Sequence, residues 1–135
     1  MRVLVTGDRF YDDSKIVSAV LDGLYLLHQE DDPYGPFVVI EGQCPKGGAD
    51  LFAEEWAKRT GGVDHRPVPA DWDTHHKAAG PIRNRKMLKE ERPDVVVAFH
   101  DDLEHSKGTK DMVTIADKAG VPVYHIRRIG NGKLF

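Results

Sequence analysis

The chain has very little cysteine and no long hydrophobic run. Cys44 is the one cysteine in 135 residues, which excludes an internal disulfide and a zinc site built from several cysteines. No stretch approaches the roughly 20 consecutive apolar residues that a membrane-spanning helix needs. No basic and then apolar leader precedes the first predicted strand, as a secretion signal would. We therefore expect a cytoplasmic protein that does not contact a membrane.

The chain also lacks a block of basic residues. It has 19 Lys and Arg against 22 Asp and Glu, for a formal net charge of −3. Proteins that bind duplex nucleic acid usually present a basic face to its phosphates, so this balance argues against such a partner. With 40% hydrophobic and 30% charged residues, the chain is long enough for one domain with its own core. We assign residues 1–126 to this domain and residues 127–135, which include Gly130-Asn131-Gly132, to a C-terminal tail.

Two common phosphate-binding motifs are absent. Gly7 is followed by Asp8-Arg9-Phe10 rather than by spaced glycines, so the usual dinucleotide fingerprint is missing. The loop Gly47-Gly48-Ala49-Asp50 lacks the Lys-Ser/Thr ending of a Walker loop. These absences exclude a typical dehydrogenase and a typical nucleotide triphosphatase. A polar loop accounts for His100, Asp101, Asp102 and His105, and we expect neither a metal site nor a bound cofactor.

Short apolar runs alternate with helical patterns along the chain. Arg2–Thr6, Phe37–Ile40 and Asp94–Phe99 are compact runs rich in β-branched residues, which is typical of buried strands. Between them apolar residues recur with the period of a helix, as after Ser14, which we expect to cap the first helix. This alternation predicts a Rossmann-like, doubly wound α/β fold with a mostly parallel sheet of about five strands and helices on both faces. Ligands of such sheets bind beyond the carboxyl ends of the strands.

The segment Gly80–Leu88 begins a predicted helix with polar residues where apolar ones are expected. Positions four apart share a helix face, so Arg83 lies over Met87 and Asn84 over Leu88. An arginine on a core-facing stripe is costly to bury unless it meets an anion, and its planar guanidinium suits phosphate or carboxylate. An ion pair with an acid of the chain would explain Arg83 equally well. A phosphate-bearing ligand is favoured because several glycine-containing turns are predicted to meet at the same edge of the sheet.

Five segments of the chain together form a recognisable pattern: Thr6–Arg9, Gly47–Ala53 with Trp56-Ala57, Ala70–Trp72, Lys77–Met87 and Gly108–Val113. These segments resemble the YspA-like group of the SLOG superfamily. The resemblance implies a Rossmann-like domain that binds a nucleotide or a nucleotide-derived ligand, and related proteins suggest a homodimer. The superfamily includes the LOG phosphoribohydrolases, which release the base from a nucleoside monophosphate, and the DprA-like DNA-processing proteins.

The LOG motifs match the chain in part. Their Arg-Lys-x-x-Met motif aligns with residues 83–87, which makes Arg83 the arginine on the phosphate or ribose side. Their Gly-Thr-x-x-Glu motif aligns with Gly108-Thr109, but its glutamate position falls on Met112. Glycosidic cleavage passes through an oxocarbenium-like state that needs a nearby carboxylate. A hydrolase would pair Arg83 with Asp111, or else with Asp50 or Asp8, all acids that can instead compensate a helix N-terminus.

Three functions are therefore considered. The preferred one is binding of a phosphate-containing nucleotide or derivative at the C-terminal edge of the sheet. The second is N-glycosidic hydrolysis of a nucleoside monophosphate, so whether the protein is an enzyme stays open, and the third is a DprA-like nucleic-acid-processing module. In the binding site, glycines and a threonine would contact phosphate, arginines add charge, an asparagine orients the ligand, and a tryptophan stacks on base or ribose. The predicted binding residues are Gly7, Arg9, Gly42, Gly47, Gly48, Asp50, Trp72, Arg83, Asn84, Gly108 and Thr109.

Overall fold

A five-stranded sheet forms the centre of the computed structural model, which describes residues 1–129 and 133–134. All neighbouring strands run parallel, which confirms the Rossmann-like α/β prediction. The strands are β1 (Arg2–Gly7), β2 (Phe37–Glu41), β3 (Val63–Pro67), β4 (Val95–Phe99) and β5 (Val123–Ile126), in the spatial order β3-β2-β1-β4-β5.

Helices connect the strands and cover both faces of the sheet. The first helix begins at Ser14, but the capping side chain is Asp13, whose carboxylate accepts from the amides of Lys15 and Ile16 at 3.1 and 3.2 Å. The predicted cap at Ser14 is therefore wrong by one residue. None of the helices in the described part of the chain is long and apolar enough to cross a membrane. The helices are α1 (Ser14–Asp31), α2 (Ala49–Arg59), α3 (Trp72–His75), α4 (Ala79–Glu91) and α5 (Gly108–Lys118), with short 3-10 turns at His76–Ala78 and Leu103–His105.

The sheet separates two hydrophobic cores. Side chains alternate along β1, so Val3 and Val5 pack with Trp56 of α2 on one face. On the other face Leu4 packs with Met87 of α4 and Met112 of α5. Both methionines are almost completely buried, and they fix the distance of α4 and α5 from the sheet.

The order of the strands reverses between β1 and β4. The chain proceeds from β1 outward to β2 and β3, and then returns to place β4 on the other side of β1. The loops after these two strands therefore diverge to opposite faces and leave a crevice at their carboxyl ends. The sequence analysis predicts that the ligand binds in this crevice.

The tail continues past β5 as a small ribbon. Strand β6 (Arg128–Ile129) pairs antiparallel with β7 (Lys133–Leu134). The predicted turn at Gly130-Asn131-Gly132 lies outside the described residues. Arg128 fixes the start of the ribbon, because its guanidinium pairs with Asp101 at 2.8 Å and with Asp12 at 2.6 Å.

Candidate functional site

A cleft with two adjacent lobes lies at the carboxyl ends of the central strands. The switch-point lobe has a volume of about 510 Å³ and lies between the loops after β1 and β4. The outer lobe, about 540 Å³, lies over the loop after β2 and the start of α2. Both volumes are in the range of small-molecule sites. The switch-point lobe is lined by Thr6–Arg9, Asp50, Gly80, Asn84, His100 and His105–Thr109, the outer lobe by Gly42, Gln43, Pro45, Leu51, Glu54, Pro69 and Ala70, and both by Cys44, Trp72 and Arg83.

Arg83 lies where the two lobes meet. Its Nη1 donates to the carbonyl oxygen of Gly42 at 2.6 Å, and its Nε donates to Oδ1 of Asn84 at 3.1 Å. The side chain is partly buried, yet none of the ion pairs formed among the described residues includes it. The guanidinium is thus held in place by neutral acceptors while its charge stays available to the cleft. Within the described part of the chain, Arg83 thus forms no internal ion pair, which was the alternative explanation of this arginine.

Gly42 makes room for that guanidinium. A Cβ atom at this position would lie 2.2 Å from Nη1 of Arg83, far inside van der Waals contact. The next residue, Gln43, has a φ of 49°, which side-chain-bearing residues rarely adopt. Its backbone amide donates to Oε2 of Glu41. The loop after β2 is therefore shaped to present one carbonyl to Arg83.

Glu41 and His65 form a buried pair behind this loop that sequence reasoning missed. Glu41 is fully buried, and its Oε1 lies 2.8 Å from Nε2 of His65 on β3. Burial raises the pKa of Glu41, while His65 and the amide of Gln43 oppose that rise. The available signal was an acid at the end of an otherwise apolar strand, where a charge must be paired or hydrogen-bonded. This pair fixes the conformation of the loop and does not line the cleft.

Asn84 connects helix α4 to helix α5. Its Nδ2 donates to the carbonyl oxygen of Gly108 at 3.1 Å and to Oδ2 of Asp111 at 3.0 Å. Oδ1 accepts from Arg83, so both amide hydrogens and one lone pair are bonded within the protein. This nearly fully buried amide positions Arg83. Because Asn84 also lines the switch-point lobe, its predicted role of orienting a ligand stays a prediction.

The predicted catalytic carboxylate, Asp111, lies behind Asn84 and not on the cleft surface. It accepts from Asn84 and lies 3.9 Å from the guanidinium of Arg85. Met112, at the glutamate position of the LOG motif, is fully buried in the core beneath α5. The structure therefore brings no carboxylate into the cleft from the first turn of α5.

Asp8, Glu54 and Asp50 all line the cleft, and among them Asp50 interacts electrostatically with Arg83. It lies in the first turn of α2, is partly buried, and lines the switch-point lobe. Burial raises its pKa to about 7, and the negative charge of Glu41 adds to this rise. Arg83 and the backbone amides of Gly42 and Cys44 oppose the rise. Near neutral pH this carboxyl group therefore exists in both protonation states.

The predicted glycine turns divide into two groups. Gly7, Gly42 and Gly108 line the cleft, whereas Gly47 and Gly48 do not. Gly48 has a φ of 82°, and a Cβ there would lie 2.3 Å from the carbonyl oxygen of Asp8, so this glycine lets α2 approach the loop after β1. Gly48 therefore serves this packing, Gly47 lines neither lobe, and contact of either glycine with phosphate stays a prediction.

The start of α5 is already capped by the protein itself. Oγ of Ser106 accepts from the amides of Thr109 and Lys110 at 3.1 and 3.3 Å. The amide of Thr109, one of the predicted phosphate-binding residues, is therefore already bonded within the protein. Thr109 is almost fully buried but still lines the switch-point lobe.

Three further basic residues surround the switch-point lobe. Arg9 and Lys107 are exposed on its opposite sides, from the loops after β1 and β4. His105 lies 2.8 Å from Asp102 through Nδ1 and Oδ1, and this contact raises the pKa of the imidazole. Among the residues that the structure describes, no group of three or more His, Cys, Asp or Glu is placed to hold a metal ion.

Trp72 lies at the boundary of both lobes. It is 53% exposed although it is one of the largest apolar side chains. Asp71 caps the short helix α3, with its carboxylate accepting from the amide of Thr74 at 3.2 Å. Gly80 lies next to the indole, since a Cβ there would be in ordinary contact with the ring at 3.5 Å. The tryptophan predicted to stack on a ligand is thus located at the cleft with much of its surface open.

Comparisons with known proteins agree with this architecture. A model of the YspA, cpYpsA-related SLOG family matches residues 1–75, more than half of the 135-residue chain. The match includes Trp72 and ends before Arg83. The chain is also similar to the gene 61 protein of Mycobacterium phage D29, with 39% identity over 127 residues that cover 90% of this chain and 93% of the phage protein. The chain belongs to the YspA, cpYpsA-related SLOG family.

Proposed function

We propose that the protein binds a nucleotide or a nucleotide-derived ligand whose phosphate occupies the switch-point lobe and whose base occupies the outer lobe. The observation on which the proposal rests is Arg83, a partly buried guanidinium without a carboxylate partner among the described residues. A buried cation of this kind is costly unless an anion joins it. A phosphate supplies two oxygens in the geometry that a guanidinium prefers.

The remaining contacts of the phosphate come from side chains. Arg9 and Lys107 approach the same lobe from the loops after β1 and β4, and the hydroxyl of Thr109 lines it. Since Ser106 already caps two amides of α5, charged side chains supply more of the binding than backbone amides do. The lobe therefore favours a group with two negative charges, such as a terminal phosphate.

The outer lobe suits a planar aromatic group. Its wall combines the indole of Trp72 with Leu51, Pro45 and Pro69. Stacking of a base on an aromatic ring contributes about 1–3 kcal/mol in nucleic-acid-binding proteins. A nucleoside phosphate has its base and its phosphate at opposite ends of a sugar, so one molecule could fill both adjacent lobes.

Binding is tested by calorimetry and by thermal shift with the adenosine, guanosine, cytidine and uridine 5′-monophosphates and with inorganic phosphate. A ligand that binds the native state raises the melting temperature. Arg83→Ala is expected to weaken binding by about tenfold or more, and Arg83→Lys by less, because lysine keeps the charge without the planar fork. Arg85→Ala is the matched control, since Arg85 is on the same helix outside both lobes. Equal binding by wild type and Arg83→Ala would refute the proposal.

An N-glycosidic hydrolase is the second candidate, favoured by the presence of Asp50 in the lobe that Arg83 also lines. In such a reaction water attacks C1′ of the sugar and gives its proton to the carboxylate, while the base leaves with the bonding electrons and takes up that proton. Chromatography of each monophosphate after incubation detects the free base. Release that is lost in Asp50→Asn but kept in Asp111→Asn supports this candidate, and the absence of free base from a bound monophosphate rejects it.

A further inference from the structure

Asp8, Asp50 and Glu54 all line the cleft, and Asp50 is an acid that lies beside both Gly42 and Arg83. Arg9, His105 and Lys107 line the switch-point lobe from the loops after β1 and β4, whereas Asp50 lines it from the first turn of α2. A Cβ built on Gly42 is 2.2 Å from Arg83 and 3.0 Å from Oδ2 of Asp50. Because Gly42 lines the outer lobe, Asp50 lies at the junction between the two lobes.

The chemistry of a carboxylate restricts what can lie at that junction. A phosphate in direct contact with ionised Asp50 would be repelled, since two like charges at contact distance oppose one another. The phosphate bound by Arg83 must therefore lie toward Arg9 and Lys107, which line the same lobe. An ionised carboxylate accepts hydrogen bonds only, so it is satisfied by O–H or N–H donors. Within a nucleoside phosphate, the part between base and phosphate is the sugar, and its donors are the 2′- and 3′-hydroxyl groups.

We propose that Asp50 accepts hydrogen bonds from the sugar hydroxyls of the bound nucleotide and thereby selects ribonucleotides over 2′-deoxyribonucleotides. This inference rests on the proposed nucleotide-binding function and adds the class of sugar to it. The Asp50 carboxylate already accepts from the amides of Gly42 and Cys44, and its two oxygens keep further lone pairs for a pair of neighbouring hydroxyls. Loss of the 2′-hydroxyl removes one hydrogen bond to this charged acceptor, and sites that hydrogen-bond a ligand hydroxyl discriminate strongly against the analogue that lacks it.

The protonation state of Asp50 gives the selectivity a pH dependence. The groups that face its carboxyl are Glu41 from β2, Arg83 from α4 and the amides of Gly42 and Cys44, while Asp8 and Arg9 line the same lobe from the loop after β1. With the pKa of Asp50 raised to about 7, the acceptor form becomes dominant only above neutral pH. The ratio of ribonucleotide to deoxyribonucleotide affinity should therefore increase from pH 6 to pH 8. The phosphate of the ligand titrates in the same way in ribonucleotides and in deoxyribonucleotides, so its effect on affinity cancels in this ratio.

The test measures calorimetric affinities of the four ribonucleoside 5′-monophosphates and of their 2′-deoxy counterparts. Wild type is expected to prefer the ribonucleotide by about tenfold, as a hydrogen bond to a charged group implies. Asp50→Asn should reduce this preference, chiefly by weakening the ribonucleotide. Asp117→Asn, an equal loss of charge on the exposed side of α5, should retain the wild-type preference.

The outcomes separate the two proposals. Equal affinity of wild type for both sugars, or an unchanged preference in Asp50→Asn, overturns the role of Asp50 while nucleotide binding stands. Failure of every monophosphate to bind wild type overturns nucleotide binding itself, and the inference with it. The comparison of sugars in wild type needs no variant, so a folding defect in Asp50→Asn leaves it decisive.

Discussion

Nη1 of Arg83 donates to the carbonyl oxygen of Gly42 across 2.6 Å, which joins the first turns of α4 to the loop after β2. This bond connects two elements on opposite sides of the cleft. The bond also holds the guanidinium of Arg83 in place without neutralising it, because a carbonyl oxygen carries no net charge. The placement of Arg83 thus depends on Gly42, because a side chain at this position would take the space of the guanidinium.

Gly42→Ala should therefore separate ligand binding from stability. The added methyl group would occupy the position of Nη1, from which it is 2.2 Å away, and the flexible end of Arg83 would move. Gly42 is buried, but the atoms that the methyl group would meet are the ends of the Arg83 and Asp50 side chains. We therefore expect the free energy of unfolding to fall by only about 1 kcal/mol and nucleotide affinity to fall by about tenfold or more.

The control for this substitution is Gly23→Ala. Gly23 lies within α1, where an added Cβ meets nothing within 4 Å. Because alanine favours the helix over glycine, this variant should be more stable by about 0.5–1 kcal/mol and should bind ligand as wild type does. Urea denaturation and calorimetry of both variants check the pair, and wild-type affinity in Gly42→Ala would contradict the prediction.

Asn84→Ala should destabilise the protein through lost hydrogen bonds. The substitution leaves the carbonyl of Gly108 and the carboxylate of Asp111 without their common donor. A buried acceptor without its partner costs about 1–3 kcal/mol, and more where the acceptor is charged. We expect a loss of about 2–3 kcal/mol in urea unfolding together with weaker nucleotide binding, because Arg83 loses its second contact. The control is Arg85→Ala, on the exposed side of α4. If Asn84→Ala lost no more unfolding free energy than Arg85→Ala, the side-chain amide of Asn84 would be dispensable for stability.

The sequence predicted the fold well because the signals of an α/β sheet are local. The apolar runs of β1, β2 and β4 are buried on both faces, and such runs are recognisable without knowledge of their neighbours. The helical period likewise predicted that Arg83 shares a helix face with Met87, and the alternation of strands and helices predicted that its segment lies at the carboxyl edge of the sheet. Features that depend on two distant segments were not predictable. The Glu41–His65 pair and the path from Asn84 to Asp111 join residues that are 24 and 27 positions apart.

The glycines illustrate the same limit. A glycine before a helix can contact a phosphate or can let two backbones approach, and the sequence of the turn is the same in both cases. Gly48 contacts the loop after β1, whereas Gly42 accommodates a side chain of α4. Only the positions of the neighbours decide between these uses. The homodimer suggested by the family resemblance stays a prediction for the same reason, since it concerns a surface and not a local pattern.

Asp50 should make the stability of the protein fall as the pH rises through neutrality. Its pKa is about 7 in the folded protein against an ordinary value of 3.8, so the folded state binds this proton more tightly than the unfolded state does. The contribution is complete below about pH 4 and is lost as the pH rises through 7. Asp50→Asn removes this dependence and should exceed wild type in unfolding free energy by on the order of 2 kcal/mol at pH 8, allowing for solvent near the partly buried group. Urea unfolding at pH 5 and pH 8 checks the sign, and a constant difference between the two proteins would contradict it.

Tyr11→Phe should leave the protein as stable as wild type or make it more stable by about 1 kcal/mol. Its hydroxyl is buried and has no hydrogen-bond partner among the described residues, so removing it relieves the cost of an unsatisfied polar atom. The ring remains, and with it the packing against Phe99 at 5.7 Å and the guanidinium of Arg128 at 4.4 Å. Arg128→Ala is the contrasting variant, because it breaks the pairs with Asp101 and Asp12 and exposes the ring, and it should lose about 1–3 kcal/mol. Thermal unfolding of the two variants decides the matter: a substantial loss in Tyr11→Phe would mean that the hydroxyl has a partner, and no loss in Arg128→Ala would mean that the ribbon is not held by its first residue.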